Sequence, residues 1–170
     1  HFYNSVKIFS PHQEELPIYH KRALWGYDQN NFIPGNHQGI YEIDHIKIGL
    51  RICFEIRLPE YFRELFQEEV DVCLLSLCDV GSIENKARRE IIKAHMISRA
   101  VENVFYLVSS NSMSSYPLAP TCFVSPSGQI LNEACDTEEG ILIKTIEIEE
   151  PTFGQKGIIH YSKKIINNKR

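Results

Sequence analysis

The chain has 170 residues, 43% hydrophobic and 24% charged, with a formal net charge of -4, which is enough apolar material for one core and predicts a single domain over residues 1–170. The acidic balance, with no long Lys or Arg run, argues against a nucleic-acid footprint, and apolar runs no longer than a strand argue against a membrane span. Five scattered cysteines without a C-x-x-C pair point to a reducing, cytoplasmic setting. Seven histidines without H-E-x-x-H spacing give no reason to expect a metal or other cofactor.

In chain order, Ser5 to Phe9 and Leu16 to Lys21 read as extended pieces joined by a turn through Pro11 to Glu14. His1 is not an initiator methionine and the next residues enter as though mid-domain, so the chain reads as a fragment. From Arg22 to Gly39 the composition turns to Gly, Pro, Asn, Asp and Gln around Trp25, Tyr27 and Phe32, predicting a long structured loop of the kind that usually carries function. Ile40 to Ile43 and Ile46 to Ile52 are strands joined at Asp44-His45, a connection that fits a hairpin. Pro59 opens a helix to about Glu69, and Val70 to Leu77 is a buried strand that places Cys73 and Cys78 in the core. Glu84 to Asn103 is the longest helix, with Ala87, Ile91, Ala94, Ser98 and Val101 on one stripe. Ile92, Met96 and Ala100 lie beside it, and Lys86, Arg88, Arg89 and Lys93 face away. Val104 to Ser110 is a second apolar strand, Asn111 to Pro120 a polar loop, and Thr121 to Val124 with Gln129 to Ala134 a hairpin. Gly140 to Ile148 is the last strand, and Lys163 to Arg170 a solvated basic tail. Strand and helix alternate as in an α/β layered domain.

The chemistry centres on Cys53, which the alternating strand Ile46 to Ile52 delivers at its end, just before a helix start. Backbone N–H groups at such a junction can lower a thiol pKa and bind an oxyanion. Arg51, Glu55, Arg57 and Glu60 surround Cys53 with more charge than an inert core cysteine needs. Cys53 is therefore expected to be a nucleophile that alkylates faster than Cys73, Cys78, Cys122 and Cys135.

The run Ile52-Cys53-Phe54-Glu55-Ile56-Arg57-Leu58-Pro59-Glu60 resembles the cysteine motif I-C-[YF]-[DE]-x-R-[FL]-P-E of the carbon-nitrogen hydrolases of the nitrilase superfamily. Tyr19-His20-Lys21 and Phe32-Ile33-Pro34-Gly35 are similar to that family's Y-x-K and F-x-P-G segments. Arg99 to Asn103 and the turn Pro126-Ser127-Gly128 agree more weakly. The resemblance implies an α/β fold, a nitrilase-like αββα sandwich whose N-terminal part is expected to lie outside this chain. It implies a hydrolase acting on a non-peptide carbon-nitrogen bond, an amide or carbamoyl group ahead of a nitrile, through a cysteine thioester, and a homodimer or larger homo-oligomer. Cys53 would be the nucleophile, Lys21 the fixed cation and the Phe54 backbone N–H an oxyanion donor. Glu55 and Arg57 would brace the elbow through ion pairs, and Arg99 with Glu102 would serve helix-end packing.

The sequence departs from the family pattern in three places. No glutamate precedes Glu14 to act as the family's general base, and Glu14 and Glu15 sit just before Tyr19, in the wrong place. Asp28 is the nearest acidic residue to the position of a second glutamate. It would either line the pocket with Trp25 and Tyr27 or cap its own loop. Arg22-Ala23-Leu24 replaces the usual x-H-L after the lysine, which leaves the substrate open. These 170 residues alone are expected not to hydrolyse amides, because the Cys-Lys pair lacks a partner to move protons. Two other readings are a catalytically silent binding or assembly protein, and a Cys-His hydrolase using His20, His37 or His95.

Overall fold

The computed structural model describes residues 2–10 and 15–167, so the expected Pro11 to Glu14 turn lies outside the described residues, as do the last three positions of the basic tail. Strands β1 (Ser5–Val6) and β2 (Tyr19–His20) pair antiparallel, as expected of the two extended pieces. The following loop contains a short helix that its turn-rich composition concealed, α1 (Tyr27–Asn31). Strands β3 (Ile40–Ile43) and β4 (Ile46–Ile52) form the expected hairpin. Asp44 and His45 both take positive φ, 49° and 66°, the turn geometry whose twist matches an antiparallel pair.

A 3₁₀ turn over Cys53–Arg57 links β4 to α2 (Pro59–Gln67), with Pro59 in the first helical position, where a missing N–H costs nothing. Then come β5 (Val72–Leu77), β6 (Val80–Gly81), α3 (Ala87–Asn103), β7 (Tyr106–Asn111), β8 (Tyr116–Pro117), β9 (Cys122–Val124), β10 (Ile130–Glu133) and α4 (Phe153–Asn167). The short β6 and β8 pair with each other, which ties the polar loop after β7 to the end of β5.

One mixed sheet has the order β10-β9-β7-β5-β4-β3. The pairs β4–β5 and β5–β7 are parallel, each joined by a helical crossover, and the remaining pairs are antiparallel. This is the α/β architecture expected. One sheet face is covered by α2 and α3, with Phe62, Leu65, Ile92, Met96 and Ala100 packed on Cys73, Leu75 and Leu107. Full burial of each such side chain contributes about 1.5–3 kcal/mol. Gly49 belongs to this contact, because a Cβ there would meet the Leu65 side chain at 2.7 Å. Over the other face, Val6, Ile8 and Leu16 pack around Tyr19, Tyr41, Leu50 and Ile52.

Four expectations are corrected. Helix α3 buries the Ile92, Met96 and Ala100 line together with Arg89 and Arg99, whereas Ile91 is 52% exposed. Arg89 turns inward because Glu133 and the Pro117 and Ala119 carbonyls accept its guanidinium. Cys78 is exposed, one residue past the end of β5. Gly140 to Ile148 forms no strand; Ile141 and Ile143 are 90% and 81% exposed, and no described strand pairs with the segment. The tail instead enters α4, started by a reciprocal cap in which Gln155 N–H donates to Thr152 Oγ1 at 3.4 Å and Thr152 N–H to Gln155 Oε1 at 2.8 Å.

Candidate active site

At the end of β4 the chain reverses sharply at Cys53, whose φ of 46° lies in the left-handed region that a non-glycine residue adopts at a cost of about 1–3 kcal/mol. The bend is held by Glu55, which is fully buried at 0% exposure. Its Oε2 accepts from the Ile52 N–H at 2.7 Å and the Tyr19 hydroxyl at 2.8 Å. Its Oε1 accepts from the N–H groups of Arg22 and Ala23 at 2.8 and 3.3 Å. One carboxylate therefore fastens the segment bearing Lys21 to the elbow bearing Cys53. Burial and the neighbouring Glu55 charge hold the Tyr19 phenol far above its ordinary pKa, so it stays a donor. The expected ion-pair bracing is corrected here. Glu55 braces through backbone amides and a phenol, because those donors are what the turn leaves unpaired, and Arg57 makes no ion pair among the described residues.

Lys21 is 3% exposed. Its N–H donates to the Asn4 carbonyl at 2.8 Å and its carbonyl accepts from Gly35 N–H at 2.9 Å, so the residue before β1 and the end of the Phe32-to-Gly35 segment fix it from both sides. Gly35 is required by close approach, since a Cβ there would collide with the His20 carbonyl. The Lys21 ammonium meets Asp28 Oδ2 at 2.5 Å, and Asn4 Nδ2 donates to the same oxygen at 3.4 Å. The Asp28 side chain thus reaches the lysine.

Burial pushes the half-buried Cys53 thiol above its usual pKa, and Lys21 with a hydrogen bond from the Cys78 backbone N–H offsets this in part. Asp79 and Asp28 push it further up. The strand-end position alone suggested a lowered value; burial outweighs the cation because Asp28 already pairs with it. The exposed Cys135 thiol is shifted down by hydrogen bonds from the Thr137 hydroxyl and N–H. At pH 7 Cys135 is therefore expected to alkylate with iodoacetamide before Cys53, reversing the order expected from sequence, and the Cys53 rate should climb with pH beyond the ordinary thiol range. Peptide mapping of labelled protein checks this; Cys53 reacting first would mean that the cation overrides burial.

Trp25 stacks on Phe54 at 5.5 Å and 15° and is 63% exposed, beside the elbow. Tyr27 is 75% exposed and packs edge-on against Phe32. The described cavities lie elsewhere. One of about 310 Å³ is lined by Asp71, Val104, Tyr106 and Ile148, and none of those described includes Cys53. Sequence reasoning missed Asp79, held by Arg88 through contacts of 3.0 to 3.2 Å. Its place just past β5, beside the end of the parallel strand β4, was the available signal, since ligands gather at such strand ends. The charges that act most on Cys53 come from Lys21, Asp79 and Asp28. Of the histidines in the alternative reading, His20 contacts Ser5, His37 accepts from Gly39 N–H, and His95 lies on α3. Arg99 pairs with Glu102 at 2.8 Å and lies over the Phe62 ring, a packing role.

Fold and site together define an α/β protein with a thiol, a buried ammonium and carboxylates gathered where parallel strands end. The profile of the carbon-nitrogen hydrolase family matches residues 1–152, and the chain belongs to that family. It is 27% identical to the 2-oxoglutaramate amidase of Bacillus subtilis over 87% of this chain and 57% of that protein. It is 28% identical to an (R)-stereoselective amidase of Pseudomonas over 78% and 48%. A carbon-nitrogen hydrolase from Helicobacter pylori superposes with a TM-score of 0.70 at 19% identity, covering 81% of this chain and 54% of that one. The chain spans about half the length of the curated relatives it matches.

Proposed function

We propose that this chain supplies the nucleophile, the cation and an oxyanion donor to a site that hydrolyses small-molecule amides or carbamoyl compounds, ahead of nitriles. The observation that supports this most is the Glu55 carboxylate joining the Cys53 elbow to the Lys21 segment. In this reading Cys53 Sγ attacks the carbonyl carbon, and the oxyanion is met by the Lys21 ammonium and the Phe54 N–H. The nitrogen leaves as a protonated amine or ammonia, and water then cleaves the thioester. A thiol raised by burial enters this sequence protonated, so its proton must pass to a base. Asp28, which pairs with the Lys21 ammonium and whose charge acts on Cys53, shares that work in this reading.

Lys21→Met is expected to lower kcat on the order of a hundredfold or more with little loss of folding, by removing the charge that balances the oxyanion. Asp28→Asn should lower kcat or raise KM without lowering Tm; a Tm loss with intact kinetics would instead assign Asp28 to loop structure. The reading as a whole is tested by ammonia release from simple amides, carbamoyl compounds and nitriles, using the protein expressed from its whole reading frame. Cys53-dependent release from an amide is expected. Failure on all three classes would favour the catalytically silent binding protein.

A further inference from the structure

Where the Lys21 side chain reaches Asp28 on α1, the next side chain, Arg22, reaches helix α2. Its guanidinium engages both carboxylate oxygens of Glu64, with Nη2 donating to Oε2 at 2.5 Å and Nη1 to Oε1 at 3.4 Å. It also lies over the Tyr61 ring, 4.2 Å from the centroid. The pair is largely shielded, with 13% of the Arg22 side chain and 30% of that of Glu64 exposed. Glu64 Oε2 accepts in addition from Arg51 Nη2 at 3.4 Å. Arg51 is fully buried on β4, just before Ile52 and Cys53, and its guanidinium donates to the Gln38 and Leu50 carbonyls at 2.8 and 2.7 Å and to that of Tyr61. Glu64 therefore ties the segment bearing Lys21 to the strand bearing Cys53 by way of α2. It does so apart from Glu55, which holds Arg22 by the backbone N–H while Glu64 holds it by the side chain. A shielded pair of this kind adds little net stability, since the cost of desolvating two charges offsets much of their attraction, whereas its two-point fork fixes a position.

We infer that Arg22 and Glu64 are positioning residues, a second anchor on α2 that sets where the Lys21 ammonium stands relative to the Cys53 sulfur. An anchor at the Arg22 backbone alone leaves the Lys21 segment able to rock about it. The second anchor, a side-chain length away on another element, removes that motion. Misplacing a group near the chemistry by about 1 Å costs on the order of a hundredfold in rate, so the fixed geometry matters more than the charge. A lysine at position 22 would carry the same charge without the planar fork that meets both Glu64 oxygens. The consequence for turnover rests on the amide-hydrolysis reading; the consequence for the Cys53 thiol, which Lys21, Asp28 and Asp79 all face, does not.

The test uses Glu64→Gln, Arg22→Met and Arg22→Lys in the protein expressed from its whole reading frame, alone and combined with Lys21→Met. Two quantities are read on the folded fraction: kcat for amide hydrolysis, and the pH dependence of Cys53 alkylation by iodoacetamide. Glu64→Gln and Arg22→Met are expected to lower kcat roughly ten- to a hundredfold with KM little changed, and Arg22→Lys to recover part of the loss. Their Cys53 alkylation profile should move to higher pH, because a displaced ammonium favours the thiolate less. In the Lys21→Met background neither change should cost anything further, since both act through that lysine. A lowered Tm with kcat and the alkylation profile unchanged would overturn the inference and leave the pair a structural one. Equal losses of kcat with Lys21 present and absent would overturn it too. An alkylation profile that moves while Lys21→Met keeps normal kcat would uphold the positioning and sink the role of Lys21 in hydrolysis.

Discussion

Replacing Cys53 by alanine is expected to abolish amide turnover, with a loss on the order of 10⁴-fold or more, while the protein still folds. Cys53 is the thiol on the elbow that Glu55 fastens to the Lys21 segment. Without the thiol no thioester forms, and the cation and backbone donors are left to polarise a carbonyl with no attacking atom. Folding should survive because the bend is held by Glu55 rather than by the thiol, and alanine carries no extra bulk into the left-handed position. Ammonia release read beside thermal unfolding separates the two effects. A Cys53→Ala protein that still turned over amide would place the nucleophile elsewhere, and Cys53→Ser should not restore the rate, because a hydroxyl is far harder to deprotonate than a thiol.

Loss of the Glu55 carboxylate should produce the largest stability change at the site. Glu55→Ala strands the Tyr19 hydroxyl and the N–H groups of Ile52, Arg22 and Ala23 at a position of 0% exposure. Each buried donor left unpaired costs about 1–3 kcal/mol, and removing a buried charged partner typically costs about 3–5 kcal/mol in all. Glu55→Gln keeps one accepting oxygen but turns an NH₂ toward two donors, so its loss should be smaller yet clear. Activity should fall in both variants beyond what unfolding explains, because Lys21 and Cys53 no longer share a fixed anchor. Urea midpoints with kcat measured on the folded fraction test this. Normal stability in Glu55→Ala would show that water or another acceptor satisfies these groups.

Much of this arrangement is local and therefore readable in sequence. The alternation Ile46 to Ile52 and the two-residue Asp44-His45 connection specify a hairpin, and the continuous apolar runs specify β5 and β7. The helix beginning at Pro59 follows from chemistry inside one turn. The segment Ile52 to Glu60 carries Cys53 and its brace together, which is why the elbow was legible. The cap Thr152-x-x-Gln155 at the start of α4 is equally local, although Gly154 and Gly157 weaken the helix propensity of the segment it opens.

What only tertiary structure decided depends on atoms far apart in the chain. Periodicity set Ile91 on the apolar stripe of α3 and Arg89 facing away; acceptors on β8, on β10 and in the loop before β9 drew Arg89 inward and left Ile91 outside. Gly140 to Ile148 has strand composition, but a strand needs a paired neighbour, and its backbone finds none among the described residues. The Cys53 titration shift sets burial, Asp79 and Asp28, which raise it, against Lys21, which lowers it, and the three charges come from three separate segments, so neighbouring residues in sequence pointed the wrong way. Sequence marked the residues proposed to carry the chemistry, because motif and secondary structure are short-range. The fold decided what charge and burial surround them, because Coulomb and desolvation energies depend on distance in space.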